Sequence, residues 1–194
     1  MCSNTVTSRP HHRQSVNCRN RIVRRVVDVG ASVAPVSGQH LEQHPSVVRV
    51  RDGLAAAGVP GQVVVLPDST RTAVAAAAAL GCEVGAIASS LVFSCAGEPV
   101  LVITSGAHRV DTAKVAANHG LAPLQRADAV RAATGQAIGG VAPVGHPVPL
   151  RTFVDRWLDR HETVWAAGGH PHAVFPTTYA ELLRLTGGTA TDVE

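Results

Sequence analysis

From His44 onward, apolar residues recur at helical spacing in some stretches and at strand spacing in others. Val47, Val50, Leu54 and Ala57 share one helical face. Pro45 suits the first turn of that helix, and Gly58 and Pro60 suit its end. Gln62–Leu66 reads as a short strand. Ser69 or Thr70 is then the expected N-cap of an alanine-rich helix running to Leu80, with Gly81 as its stop. Val84–Phe93, interrupted by Ala88-Ser89-Ser90, and Pro99–Thr104 read as two strands joined by a turn at Gly97-Glu98. Val110–His119, Arg126–Ala133 and Leu150–Arg160 return to helical spacing. Val164–Ala167 and Ala173–Phe175 read as strands, and Thr177–Thr186 as a last helix stopped by Gly187-Gly188. Strands and helices alternating without a strict period predict a mixed α/β domain with one main sheet.

One stretch fits neither period. Thr134–His146 holds four glycines (Gly135, Gly139, Gly140, Gly145) and Pro143, and it ends on a histidine. Such a backbone can approach a ligand closely and turn its N–H groups inward. It can equally be a tight connection with a strand inside it.

Composition narrows the choice. Of 194 residues, 45% are hydrophobic, enough for one core, but only 3% are aromatic. Few rings are available to stack on a single strand of nucleic acid, so any RNA partner is gripped over a small part. The formal net charge of +3 misleads. Six arginines (Arg9, Arg13, Arg19, Arg21, Arg24, Arg25) fall in the first thirty residues beside one acid, Asp28, and the remainder is slightly acidic. Residues 1–40 thus read as a basic extension: an arm for RNA, an imperfect transit peptide, or sequence upstream of the true start. Residues 41–194 read as the domain. Cys2, Cys18, Cys82 and Cys95 form no C-x-x-C pair. Buried thiols in a reducing, cytoplasmic setting are expected. No apolar run is long enough for a membrane span.

Conventional catalytic motifs are missing. His146, His170 and His172 could hold zinc, but the spacing favours histidines that brace turns, and no metal or cofactor is expected. No serine lies in G-x-S-x-G, no cysteine has an evident histidine partner, and no phosphate-binding glycine motif opens a helix.

Five segments in order resemble the YbaK family, the bacterial domain related to the editing insertion of prolyl-tRNA synthetase. They are Ile87–Phe93; Ser105–Asp111 with Lys114; Ala127-Asp128 leading to Thr134-Gly135; Gly139–His146; and Val164–His172 with Phe175. The resemblance covers roughly residues 44–190. It implies a mixed, partly barrel-like sheet with surrounding helices, and deacylation of misacylated tRNA in trans. Cysteine or alanine on a proline tRNA is the typical target, the tRNA 3′ end the ligand, and an aminoacyl-tRNA synthetase a further partner. Catalysis in the family looks substrate-assisted: a ribose hydroxyl or the amino acid's own thiol takes part, and the protein positions the ester and stabilises its oxyanion. By this resemblance Gly139, Gly140, Pro143 and Ser89 are the catalytic positions. Ser90, Gly106, Arg109, Val141, Ala142, His146, Gly169 and His172 are the substrate-binding ones. Other roles stay open for some: Arg109 and Asp111 could bridge across a helix start, and His172 could brace the turn at Gly168-Gly169. The chain departs from the family at Ser89, where a lysine is usual. Serine keeps a hydroxyl but loses charge and reach. Either the substrate is held differently, or the chain is a weakened member that binds aminoacyl-adenosine or related ligands.

Overall fold

The computed structural model describes residues 38–59, 62–68 and 70–194. Residues 1–37 of the basic extension, Pro60 and the capping candidate Ser69 lie outside the described residues, as do Cys2 and Cys18, while Gly38–His40, also assigned to the extension, open the first helix.

Among the described residues the chain forms six α-helices and eight strands: α1 (Gly38–Glu42), α2 (Pro45–Ala56), β1 (Val64–Val65), α3 (Ala73–Leu80), β2 (Ile87–Cys95), β3 (Glu98–Ser105), α4 (Thr112–Asn118), β4 (Leu124–Arg126), α5 (Val130–Thr134), β5 (Arg151–Asp155), β6 (Val164–Ala167), β7 (Ala173–Thr177), α6 (Tyr179–Thr186) and β8 (Thr189–Thr191). All strands join one mixed sheet in the order β1-β7-β6-β2-β3-β5-β8, with β4 added beside β2. The β2–β3 hairpin is its spine, paired without a break from Ala88↔Ser105 to Cys95↔Glu98. The two residues between the strands, Ala96 (φ 51°) and Gly97 (φ 93°), adopt the left-handed geometry that a tight hairpin turn requires.

Helices end where the local chemistry stops them. His44 accepts from Ser46 N–H at the start of α2. Thr178 and Glu181 form a reciprocal capping box at α6, and Gly81 ends α3 in the left-handed region. The cap of α3 is Thr72, which accepts from Ala75 N–H. The expected cap Thr70 is buried and donates its hydroxyl to Pro171 O instead.

Other expectations are corrected. Leu150–Arg160 is not a helix but β5 followed by a 3₁₀ turn over Arg156–Arg160. Its apolar residues mimic helical spacing, but Thr152–Val154 lie between β3 and β8, buried on both faces. A strand buried on both faces reads as a near-continuous apolar run, so its period is hidden. Arg126 ends a strand, and the helix after it shrinks to Val130–Thr134. The strand at Gln62–Leu66 shrinks to two residues. β2 runs unbroken through Ala88-Ser89-Ser90, after a 3₁₀ turn at Val84–Ala86. Cys82 and Cys95 are half-buried rather than fully buried.

The main core lies on one face of the sheet, around Leu101, Ile103, Val154, Leu158, Phe175 and Leu182. A second cluster packs α3 on Ile87, Trp165 and Val174, and a third packs α4 on Val102 and Phe153. Asp155, 2% exposed, ties the end of β5 to β3. It accepts from Ser105 N–H at 3.0 Å, from the Thr104 hydroxyl at 3.3 Å and from Trp157 N–H at 3.0 Å, and meets His108 Nδ1 at 2.9 Å. Asp155→Ala leaves Ser105 N–H, in a fully buried residue, without an acceptor. A loss of roughly 1–3 kcal/mol per stranded donor is expected, read as a lowered urea midpoint with unchanged slope.

Candidate active site

β2 carries the site because its two edges are used differently. Its inner edge is zipped to β3. Its outer edge is divided: β6 takes Ile87 and Ala88, and β4 takes Phe93, Ser94 and Cys95. Between them, Ser89–Val92 meet no strand on that edge among the described residues. Ile87 C=O accepts from Gly106 N–H, on the β3 side. Successive strand residues turn their amide groups to alternate edges, so those of Ser90 and Val92 face the gap.

A cavity of about 700 Å³ opens at this gap, within the range of roughly 300–1,000 Å³ usual for small-molecule sites. Thr70–Ala73 and α3 form one wall, Ala127 and Val130 another, and Trp165–Ala167 of β6 a third, with Ile138, Gly139 and Val141 reaching in from the glycine loop. Ser90 Oγ and Trp165 Nε1 are buried without a hydrogen-bond partner among the described residues. Buried polar atoms are rarely left so, and both residues line the cavity.

The glycine loop keeps its shape through Gln136, which is 1% exposed. Its Oε1 accepts from Ala142 N–H at 2.6 Å, and its Nε2 donates to Val144 O at 3.0 Å. Thr134 Oγ1 accepts from Gln136 N–H at 3.1 Å and donates to Val130 O at 2.7 Å, which fastens the loop to α5. Two glycines are required by space and backbone angle. A Cβ on Gly140 would lie 2.5 Å from His170 C and 2.6 Å from Pro171 N. Gly139 has φ +82°, and a Cβ there would lie 3.1 Å from Arg71 Cγ.

The predicted residues therefore divide. Ser89, Ser90, Gly139 and Val141 line the cavity. Gly140 and the buried Ala142 and Pro143 form the body of the same loop. His146 stands behind it, half-buried, its Nε2 at 2.9 Å from Ala142 O. Gly169 packs against the backbone of Ser46. His172 Nδ1 lies 3.3 Å from Leu66 O, so this ring braces the chain near β1 rather than the turn at Gly168-Gly169. Gly106 ends β3 and is bonded to Ile87. Arg109 is not brought to the cavity: its backbone N–H donates to Glu194 Oε1, while Asp111 caps α4. The ring of His170 lies tilted against those of His44 and His172, with centroids 5.1 Å and 5.5 Å apart. Among the described residues no three His, Cys, Asp or Glu side chains gather as a metal-ligating group, so the zinc reading finds no site.

Sequence reasoning missed Gln136, Arg71, Arg126 and Trp165. A lone amide inside a glycine-rich apolar stretch was the one available signal for Gln136. The others reach the cavity only through contacts between distant parts of the chain.

Burial holds the His146 pKa below its ordinary 6.5, against the opposing pull of Ala142 O. Burial, then the charges of His44, His172 and Arg71, lowers that of His170. Both groups charge more readily unfolded, so the unfolded state binds more protons. Stability is then full above the unfolded value of 6.5 and declines as pH falls toward the folded values. Denaturation midpoints should drop between about pH 7.5 and 5.5, and His146→Gln should flatten that slope. Gln136→Ala should cost about 1–3 kcal/mol by stranding the Ala142 donor, and hydrogen exchange at Ala142 should accelerate.

Residues 67–185 match the aminoacyl-tRNA editing domain family. The chain is similar to the uncharacterized protein YwhH of Bacillus subtilis (strain 168), 32% identical over 116 residues, which are 59% of this chain and 74% of that protein. A crystal structure described as that of a candidate trans-editing enzyme for prolyl-tRNA synthetase is 46% identical, with a TM-score of 0.73 over 78% of this chain and 98% of that one. A second, of a hypothetical protein, is 31% identical, with a TM-score of 0.69 over 75% and 98%. The match, which runs from just before α3 to the last turn of α6 and includes β2 and the glycine loop, places this chain in the aminoacyl-tRNA editing domain family.

Proposed function

We propose that this chain hydrolyses, in trans and in the cytoplasm, the ester joining a wrong amino acid to the terminal adenosine of a tRNA. Cys- or Ala-charged proline tRNA is the favoured substrate. One observation carries the reading: the described residues lining the cavity include serines, threonines and arginines but no His, Cys, Asp, Glu, Lys or Tyr. A side chain able to act as general base is therefore not at hand. An aminoacyl ester is already activated, so this chemistry can proceed on positioning and oxyanion stabilisation with a group of the substrate assisting. Water, or the thiol of a cysteinyl substrate, attacks the ester carbon. The bond to the ribose oxygen breaks, and that oxygen takes the proton.

The loop supplies the donors selectively. Gly140 N–H bonds Ala137 O, and Ala142 N–H bonds Gln136. Among the described residues no acceptor meets the N–H groups of Gly139 and Val141, both at the cavity, and each could contribute about 3 kcal/mol to an oxyanion. Gly140 acts by having no side chain, which lets the loop rest on His170-Pro171.

Pure protein incubated with Cys- and Ala-charged proline tRNA should release the amino acid. Failure on these and on a full panel of mischarged tRNAs overturns the reading. Gly140→Ala should lower the rate by about a hundredfold or more, through displacement of the oxyanion donors. Ser89 supports one rival, a binding module that kept the pocket but lost turnover with the lysine. If Ser89→Lys creates activity where the natural chain has none, the rival is correct. If both turn over alike, Ser89 does not anchor the substrate.

A further inference from the structure

A lysine cannot supply the charge missing at Ser89. The chain has a single lysine, Lys114, on α4 and outside the cavity lining. Two arginines do reach the lining, Arg71 and Arg126, with no acidic residue among the described lining residues. Neither forms an ion pair among the described residues. Arg49, the nearby contrast, is committed to the loop and donates to Gly135 O and to Ser46 Oγ.

The sheet fixes where the two stand. Arg126 pairs with Phe93, and paired residues project to one face. Alternation along β2 puts Ile87, Ser89, Leu91 and Phe93 on that same face, where Ile87 packs under α3. Arg71 immediately precedes the Thr72 cap of α3 and touches the glycine loop at Gly139. Both arginines and Ser89 thus serve one side of the gap. Arg71 stands at the loop end. Arg126 stands beside Phe93, about 13 Å along β2 from Ser89, four residues at about 3.3 Å each. Both are exposed, so solvent and solutes can reach them.

We propose that Arg71 and Arg126 bind successive backbone phosphates of the tRNA 3′ terminus, Arg71 nearest the ester, so that the RNA leaves the cavity along β2 from Ser89 toward Phe93. Guanidinium forks suit phosphate oxygens better than an ammonium does, and the arrangement makes up for the missing lysine. The inference rests on the deacylase reading and names how that site holds its substrate.

The test uses the full chain and two non-hydrolysable probes carrying alanine in amide linkage at the 3′ position: adenosine, with no phosphate, and the trinucleotide CCA, with two linking phosphates. The natural chain should bind the trinucleotide about tenfold or more tighter at low salt, with the preference shrinking as salt rises. Arg71→Gln and Arg126→Gln should each remove part of the preference, and the double variant all of it. Adenosine-probe affinity should fall by a smaller factor than trinucleotide affinity in each variant, and an unchanged urea midpoint reports an intact fold. Arg71→Lys and Arg126→Lys should retain the salt dependence. Equal binding of the two probes by the natural chain, or a preference that survives the double variant, overturns the phosphate track alone. Binding of neither probe overturns the deacylase reading, and the track with it.

Discussion

A single buried amide holds the site together. Gln136 satisfies a donor and an acceptor of the segment that follows it, and Thr134 fixes the same residue to α5. A loop this rich in glycine has many conformations to lose on folding. Bonds made inside a dry environment select one of them, since the alternatives leave buried polar groups unsatisfied. With the loop set, Gly140 rests on His170-Pro171 and Gly139 on Arg71. The loop then faces β2 across the cavity, which Ile138, Gly139 and Val141 line.

The other half of the site comes from an omission in the sheet. β6 and β4 both reach the outer edge of β2, and neither covers its middle. An unpaired edge exposed to solvent invites aggregation. Here it is short and walled by α3 and the glycine loop, so its amides face a cavity. Backbone groups on two sides and mostly apolar side chains elsewhere line the pocket, and among the described residues the ionisable side chains of that lining are Arg71 and Arg126. Arg71 and Arg126 are exposed at its lining, and His146, His170 and His172 stand outside that lining as braces.

Much of this was legible in the chain before folding. Caps and stops were written in local chemistry: Pro45, Gly81, Asp111 and Gly187 end or begin helices because backbone angle and hydrogen bonding there depend on near neighbours. The glycine loop announced itself by composition, and five ordered segments carried the family. Errors fell where distant contacts overrule local period. β5 was hidden because a strand covered on both faces loses its alternation. β4 and β8, at three residues each, are strands only because β2 and β5 lie beside them.

The sequence by itself therefore determined the helix stops at Gly81 and Gly187 and the Asp111 cap, the conformational freedom of the loop, the chain's place in its family and the absence of a lysine on β2, since each is a property of residues near one another or of residue identity. Tertiary structure alone decided which groups face the cavity. It brought Arg71 and Arg126 to one side of β2, sent Arg109 toward Glu194, and made Gln136 a clamp rather than a spacer. Such outcomes rest on pairings between segments far apart in the chain, where sheet register and packing, not local preference, set which side chain meets which.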